Sequence, residues 1–257
     1  MILTHQNGIP FFKFSKFSAF AGVRHAVFTR AGGSSNGDFQ SLNVGLFAGD
    51  SEITVKKNRA AMAETLGAKD LVFLHQVHSA VVLTFKKSDA VLSSSSNAAP
   101  FAADAMITDI PGKFLAIAMA DCQAILLYDP SLNVVGAAHS GWRGSLANII
   151  GACVDAMKSD FGCRPENIFA GVSPSLGPCC AEFIHYKQEI PEAFWGFKGR
   201  SHYFDFWAIS RHQLLSAGLL PQHIEMADIC TKCNPHLFFS YRGQNRTGRF
   251  AAVIGLK

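Results

Sequence analysis

The sequence predicts an α+β fold in which short apolar strands outnumber half-buried helices, and three observations carry that prediction. Residues 114–145, FLAIAMADCQAILLYDPSLNVVGAAHSGWRGS, read as two or three apolar strands. They are broken at Ala120-Asp121-Cys122 and at the turn Asp129-Pro130-Ser131-Leu132-Asn133. Beyond them, apolar residues at 146, 149, 150, 153, 154, 157 and 161 follow the spacing of a half-buried helix, which Gly162 stops. Elsewhere apolar runs recur between Gly, Pro and Ser breaks and reach only about seven residues, far short of a membrane span.

Taken in order, residues 10–30 hold two expected strands, near 10–16 and 23–29. The loop Arg30-Ala31-Gly32-Gly33-Ser34-Ser35-Asn36-Gly37 follows. Glycine-rich loops can cradle phosphates, but no GK[ST] follows and no helix opens directly, so a turn is expected. A helix is predicted over 51–66, capped by Asp50-Ser51 and closed by Gly67. Arg59 lies near its middle, where a lone arginine ordinarily faces solvent. LVFLHQVHSAVVLTF reads as strand, polar interruption, strand, with His75 and His78 in the interruption. Side chains three apart on an extended segment point to opposite faces, so one of the two histidines is expected to face a site. Ser93-Ser94-Ser95-Ser96-Asn97-Ala98-Ala99-Pro100 is a flexible loop by composition, with no domain boundary. Later elements are a buried strand at 168–172, a Gly/Pro-rich loop ending in Cys179-Cys180, a helix near 205–217, a strand in HIEMADI and a closing strand in FAAVIGLK. There is no internal repeat, and residues 1–257 are read as one catalytic domain.

Composition narrows the class. Of 257 residues, 49% are hydrophobic and 22 are Phe, ample for a sizeable core. A charged fraction of 16% argues against disorder. The net charge of +4 permits phosphate or nucleotide ligands, but no basic stripe marks a nucleic-acid partner. Seven Cys, an odd number including the adjacent Cys179 and Cys180, suggest reduced thiols. The N-terminus has no cationic start followed by an apolar run. A soluble, cytoplasmic protein without membrane partners is expected; its oligomeric state is not legible, and a monomer is assumed.

The central stretch gathers a thiol, an imidazole and a guanidinium (Cys122, His139, Arg143) near strand ends and a helix N-terminus, where backbone N–H groups favour anions. A catalytic zinc site needs three N, S or O protein ligands and an open position. His78, Cys122 and His139 supply two imidazoles and a thiolate, but their separations of 44 and 17 residues are not diagnostic. A Cys122–His139 nucleophile–base dyad fits the same residues. Cys230-Thr231-Lys232-Cys233 is a CxxC whose second pair is missing, and loop or buried thiols are the expected reading. The zinc deaminase signature H-x-E with P-C-x-x-C is absent.

The fragments TRAGGSS, SLNVG, Asn58-Arg59, QVHS, ADAMITDIPG, ADCQAILLYDP, GAAHSGWRG, GPCCAEF and SYRGQNRTGRFAAVI occur in series from about residue 29 to 256. Set in this order, the chain resembles the bacterial purine nucleoside phosphorylase / laccase domain-containing 1 family, whose members have also been called polyphenol oxidases or multicopper oxidase-like. Two departures, Ser79 where Gly is common and Cys233, touch no proposed ligand. The resemblance implies a layered α+β sandwich of two mixed sheets flanked by helices. It implies Zn2+ on His78, Cys122 and His139, phosphorolysis of adenosine, inosine, guanosine or methylthioadenosine, and deamination of adenosine. It also leaves open a hydrolase correcting misincorporated amino acids in peptidoglycan precursors. In that frame Asp121 is a candidate to orient a metal-ligand imidazole or relay a proton, with a plain structural carboxylate at a strand end as the alternative. Arg143 is the first phosphate candidate, with Arg59 and Arg242 next, and Asn43 is a candidate for sugar hydroxyls or base edges. Copper is the weaker choice: two His and one Cys make an electron-transfer copper site, but reducing oxygen to water calls for several metals and clustered imidazoles, and the chain has ten His. An ion that only pins strand ends is the non-enzymatic alternative.

Overall fold

The computed structural model describes residues 1–89 and 102–257. The serine-rich loop expected at 93–100 lies outside the described residues. From the N-terminus come β1 (Ile2–Gln6), β2 (Ile9–Lys13), α1 (Ser15–Ser18), β3 (Val23–Phe28), α2 (Glu52–Leu66), β4 (Asp70–Phe73) and β5 (Val82–Phe85). Next are β6 (Ala105–Thr108), β7 (Lys113–Met119), β8 (Gln123–Asp129), β9 (Val134–Ser140), α3 (Trp142–Leu146), α4 (Ile149–Phe161) and β10 (Phe169–Val172). The chain continues through α5 (Tyr186–Glu189), α6 (Phe206–Ser216), β11 (Ile224–Met226), α7 (Tyr241–Gln244) and β12 (Phe250–Leu256).

Two mixed six-stranded sheets result, ordered β1-β2-β3-β12-β7-β4 and β11-β10-β8-β9-β6-β5. In the first, β4 runs parallel to β7 while the other pairings are antiparallel. In the second, the outer pairs β5–β6 and β10–β11 are parallel around an antiparallel centre. The break expected at residues 120–122 is the point where the chain leaves the first sheet at β7 and enters the second at β8. The turn at 129–133 closes the β8–β9 hairpin, with the Asp129 carboxylate accepting from the Ser131 and Leu132 N–H groups.

Strand periodicity sets the layers. Leu115, Ile117 and Met119 of β7 meet Ala124, Leu126 and Tyr128 of β8 in one buried cluster between the sheets. The alternate residues face outward: Phe114 and Ala116 pack with Met62 and Leu66 of α2, and Ile125 and Leu127 with Ile150, Val154 and Met157 of α4. Both faces of these strands are therefore covered, which explains why the sequence reads as continuous apolar runs. Gly67 ends α2 in the left-handed conformation (φ 62°), as its position predicts.

Two helix expectations need correction. The helix expected from 146 begins at Ile149, because Asn148 adopts φ 56° and its side chain accepts from the Gly151 N–H. The preceding loop is itself a short helix, α3, which carries Arg143. The strand expected over 10–16 stops at Lys13 and gives way to α1. The glycine-rich loop is a structural turn: the Ser34 N–H donates to Asn58 Oδ1, and Asn58 donates to Ser35 and to the carbonyls of Ser41 and Asn43.

His25 on β3 gives the fold a pH dependence. Its ring lies among Phe14 and Phe17, and its Nε2 accepts from the Phe14 N–H at 2.8 Å. Burial, with help from the Lys13 charge, lowers its pKa to about 4. The unfolded state binds this proton near pH 6.5 and the folded state only near 4. The contribution to stability is complete above pH 6.5 and is lost as pH falls through that window, ~3 kcal/mol at most. Urea midpoints compared at pH 7.5 and 4.5 should drop less for His25→Gln than for the natural protein; equal drops would contradict the assignment.

Candidate metal centre

Strand parity brings the first two donors together. His139 shares the inner face of β9 with Val135 and Ala137, and Cys122, one residue before β8, shares the face of Ala124 and Leu126. Both lie at the same end of the inter-sheet core. The third donor arrives from the loop between β4 and β5, where His78 takes φ 61°.

Asp104, just ahead of β6, holds this arrangement. Its fully buried carboxylate accepts from the N–H groups of Val77, His78 and Ser79, from the Ser79 hydroxyl, and from His139 Nδ1 at 2.8 Å. One side chain thus folds the QVHS loop and fixes the His139 ring. With Nδ1 committed to Asp104, Nε2 is the ring atom turned to Cys122, where a metal would take the place of a proton in the usual carboxylate–histidine–metal arrangement. Burial pushes Asp104 up, but His139 and Ser79 outweigh it and hold the carboxyl well below its ordinary range.

The donor atoms of His78, Cys122 and His139 lie within 4.8 Å of one another. Cys122 Sγ is 3.9 Å from His78 Nε2, and the two imidazole rings meet at 75° with centroids 4.9 Å apart. A tetrahedral ion with bonds of ~2.3 Å to sulfur and ~2.05 Å to nitrogen sets that N···S separation at roughly 3.6 Å. The cluster therefore fits one ion with a small contraction. Burial would raise the Cys122 thiol, but the His139 and His78 rings outweigh it and bring it down, which favours the thiolate a metal ligand needs. His139, lowered by burial but lifted by Cys122 and Asp104, reaches about 9.

Gly141 is needed beside these donors. A Cβ there would stand 2.6 Å from the His78 ring and 3.1 Å from Cys122 Sγ. Gly141→Ala is expected to weaken metal binding ~10–100-fold while the fold persists; competition against a chromogenic zinc chelator measures it, and unchanged affinity would contradict the packing.

The donors sit in the wall of a cavity of about 580 Å3. Phe73, Trp142, Phe183 and Phe206 give it flat apolar surfaces, with Phe47 and Tyr241 exposed on its lining. Arg59, Arg242 and Arg249 also line it.

Residues 24–257 match the family described as multi-copper polyphenol oxidoreductase laccase. The chain belongs to that family. It is 35% identical to the purine nucleoside phosphorylase YlmD of Geobacillus stearothermophilus over 92% of this chain and 91% of that protein. It is 33% identical to the purine nucleoside phosphorylase YfiH of Escherichia coli, covering 91% and 94% of the two chains. The crystal structure of YlmD from Geobacillus stearothermophilus superposes with a TM-score of 0.86 at 33% identity, covering 100% of this chain and 99% of that one. The two-sheet α+β sandwich is thus the fold of this family.

Within this member of the family the other expected site residues fall differently. His75 and His78 both line the cavity, against the expectation of one, because positive φ at His78 interrupts the strand alternation. Only His78 joins the donor cluster; His75 packs edge-on to Phe47 at 5.3 Å. Asp121 lines the cavity, but its carboxylate accepts from the Thr231 and Ser240 hydroxyls and the Arg242 N–H. It ties the 231–242 segment to the strand end, and the carboxylate bonded to the His139 ring is that of Asp104. Arg143 is exposed on α3, over the Trp142 ring at 4.2 Å, and is not part of the cavity wall. Asn43 is buried behind the wall, accepting from Gly45 and Arg249 N–H groups and donating to Asp50. Arg59 is half-buried and not on a solvated face: it donates from Nε and Nη2 to the Val44 carbonyl and lies 3.7 Å from the Phe73 ring centroid. Burial lowers its pKa to about 10, leaving it charged at neutral pH.

Sequence reasoning passed over Asp104 and Arg249. An acid opening the apolar run of ADAMITD was the available signal for the first, and TGR, at the start of the last strand, for the second.

Proposed function

We propose that this protein is a zinc-dependent purine nucleoside phosphorylase that also deaminates adenosine, acting in the cytoplasm. The observation that carries the reading is the His78–Cys122–His139 donor set opening into an aromatic cavity that also presents three arginines. Relatives bearing the name purine nucleoside phosphorylase support the same substrate class. A zinc ion on these three side chains would supply Lewis-acid polarisation of a group placed against it.

The chain's own residues supply the rest. Phe47 and Tyr241, exposed on the lining, offer rings on which a purine can stack, and guanidinium forks match phosphate oxygens. In phosphorolysis a phosphate oxygen bonds to C1′ of the ribose, the C1′–N9 bond breaks, and the base leaves with a proton. His75, on the wall but outside the donor cluster, is the candidate to give that proton. Arg59 and Arg242, which line the cavity, are assigned the phosphate role; Arg143, which is not among the lining residues, is not. Arg59→Ala and Arg242→Ala should each raise KM for phosphate ~10–100-fold, whereas Arg143→Ala should leave it unchanged. Equal effects of all three would contradict this placement.

The test is incubation of the zinc-loaded protein with adenosine, inosine, guanosine or methylthioadenosine, with and without phosphate. Phosphate-dependent release of base and ribose 1-phosphate is expected, with inosine appearing from adenosine. No turnover of any nucleoside would overturn the reading, and turnover of a peptidoglycan precursor or an oxygen-dependent phenol oxidation would replace it.

A further inference from the structure

A second cluster of soft donors lies outside the described metal centre. Cys179 and Cys180 follow Gly177-Pro178 in the segment after β10, and Cys230 and Cys233 lie between β11 and α7. The two segments are strapped side by side: the Ser175 N–H donates to the Ile229 carbonyl and the Thr231 N–H to the Ser175 carbonyl. The four sulfurs consequently lie within 4.8 Å of one another. The adjacent pair supplies what a second CxxC would, which is why the sequence pattern alone conceals the site.

We propose that Cys179, Cys180, Cys230 and Cys233 form a closed tetrathiolate zinc site that fixes one wall of the cavity. Cys233 Sγ is 3.7 Å from Cys179 Sγ and 3.6 Å from Cys180 Sγ. A disulfide needs ~2.05 Å, while four Zn–S bonds of ~2.3 Å in a tetrahedron set the S···S edge at ~3.8 Å. The spacing is that of sulfurs around an ion. Cys230 is buried and its Sγ accepts from the Gly177 N–H at 3.3 Å, whereas Cys179 and Cys233 are exposed, leaving a route for entry. Gly177 is required by this closeness, since a Cβ there would stand 3.0 Å from the Cys230 Cβ and 2.9 Å from the Trp207 ring.

Four protein sulfurs leave no open position, so the site is structural. Its placement gives it leverage. One strapped segment brings Leu176, Ala181 and Phe183 to the cavity, and the other brings Tyr241 and Arg242, with Thr231 and Ser240 bonded to Asp121. An ion joining them holds that wall whatever reaction the cavity performs.

The test is zinc analysis and zinc-edge X-ray absorption on intact protein purified under reducing conditions, loaded with zinc and freed of excess. The natural protein should hold two equivalents, Cys122→Ala one, and Cys233→Ser one. The ion retained by Cys122→Ala should show four sulfur neighbours near 2.3 Å. Cys122→Ala protein holding no zinc, or zinc without that sulfur shell, would overturn the proposal, as would a Cys179–Cys233 disulfide in the purified chain. Should Cys233→Ser fail to fold, the Cys122→Ala measurement still decides. A single equivalent in both the natural protein and Cys122→Ala would support the tetrathiolate and count against the His78–Cys122–His139 centre.

Discussion

Cys122→Ala should abolish nucleoside turnover, lowering kcat by ~10^3-fold or more while the protein stays folded. The expected size follows from losing a Lewis acid worth several kcal/mol of charge stabilisation, with each ~1.4 kcal/mol a factor of ten. His139→Ala should do the same. Both removals leave two donors where three are needed, so the effects are not additive and the double variant should be no worse than either single one. The fold should survive Cys122→Ala because the side chain is small, only partly buried, and at the end of the inter-sheet core, not within it. Turnover and circular dichroism measured together check this. Activity within ~3-fold of the natural protein would remove Cys122 from the reaction.

Asp104→Asn carries the largest expected cost to stability. Five donors converge on this carboxylate, three of them backbone N–H groups of one loop. An asparagine presents one oxygen and an NH2 group in its place, which confronts N–H with N–H and strands buried donors. Breaking a buried, charge-assisted network in this way costs ~3–5 kcal/mol. Because the same contacts place His78 and orient His139, zinc affinity should fall as well, ~10–100-fold. Urea unfolding and zinc competition check the two effects separately. An Asp104→Asn protein with the natural urea midpoint would show that the carboxylate does not organise the site.

The sandwich was legible in the sequence where burial and period agreed. Residues 114–140 read as strands because both faces of β7, β8 and β9 are covered, and Gly67 and Gly162 announced their helix ends through φ of 62° and 73°. The start of α4 was not legible, since Asn148 breaks the helix by adopting a left-handed conformation inside an otherwise helical pattern. Which sheet each strand joins was equally hidden: nothing local distinguishes a hairpin from the crossing between sheets at Ala120-Asp121-Cys122.

The donor set was legible only through the QVHS, ADC and AHSGWRG fragments, because spacings of 44 and 17 residues say nothing until the strand ends are brought together. Parity explains afterwards why Cys122 and His139 share a face. Side-chain partners separate the other expected residues from the donor set. Asp121 and Asn43 are polar residues in telling positions, yet their hydrogen bonds are spent on neighbouring loops. Arg143 sits next to the ligand segment, exposed over the Trp142 ring and outside the cavity lining. Asp104 reaches the His139 ring because its backbone lies beside His139, whose N–H donates to the Asp104 carbonyl at 2.6 Å.

Anomalous diffraction at the zinc edge, on crystals grown from a preparation that turns over nucleoside, decides whether one ion joins His78, Cys122 and His139. A peak is expected ~2.0–2.1 Å from His78 Nε2 and His139 Nε2 and ~2.3 Å from Cys122 Sγ. An active preparation whose crystals show no ion among these three atoms would contradict the account.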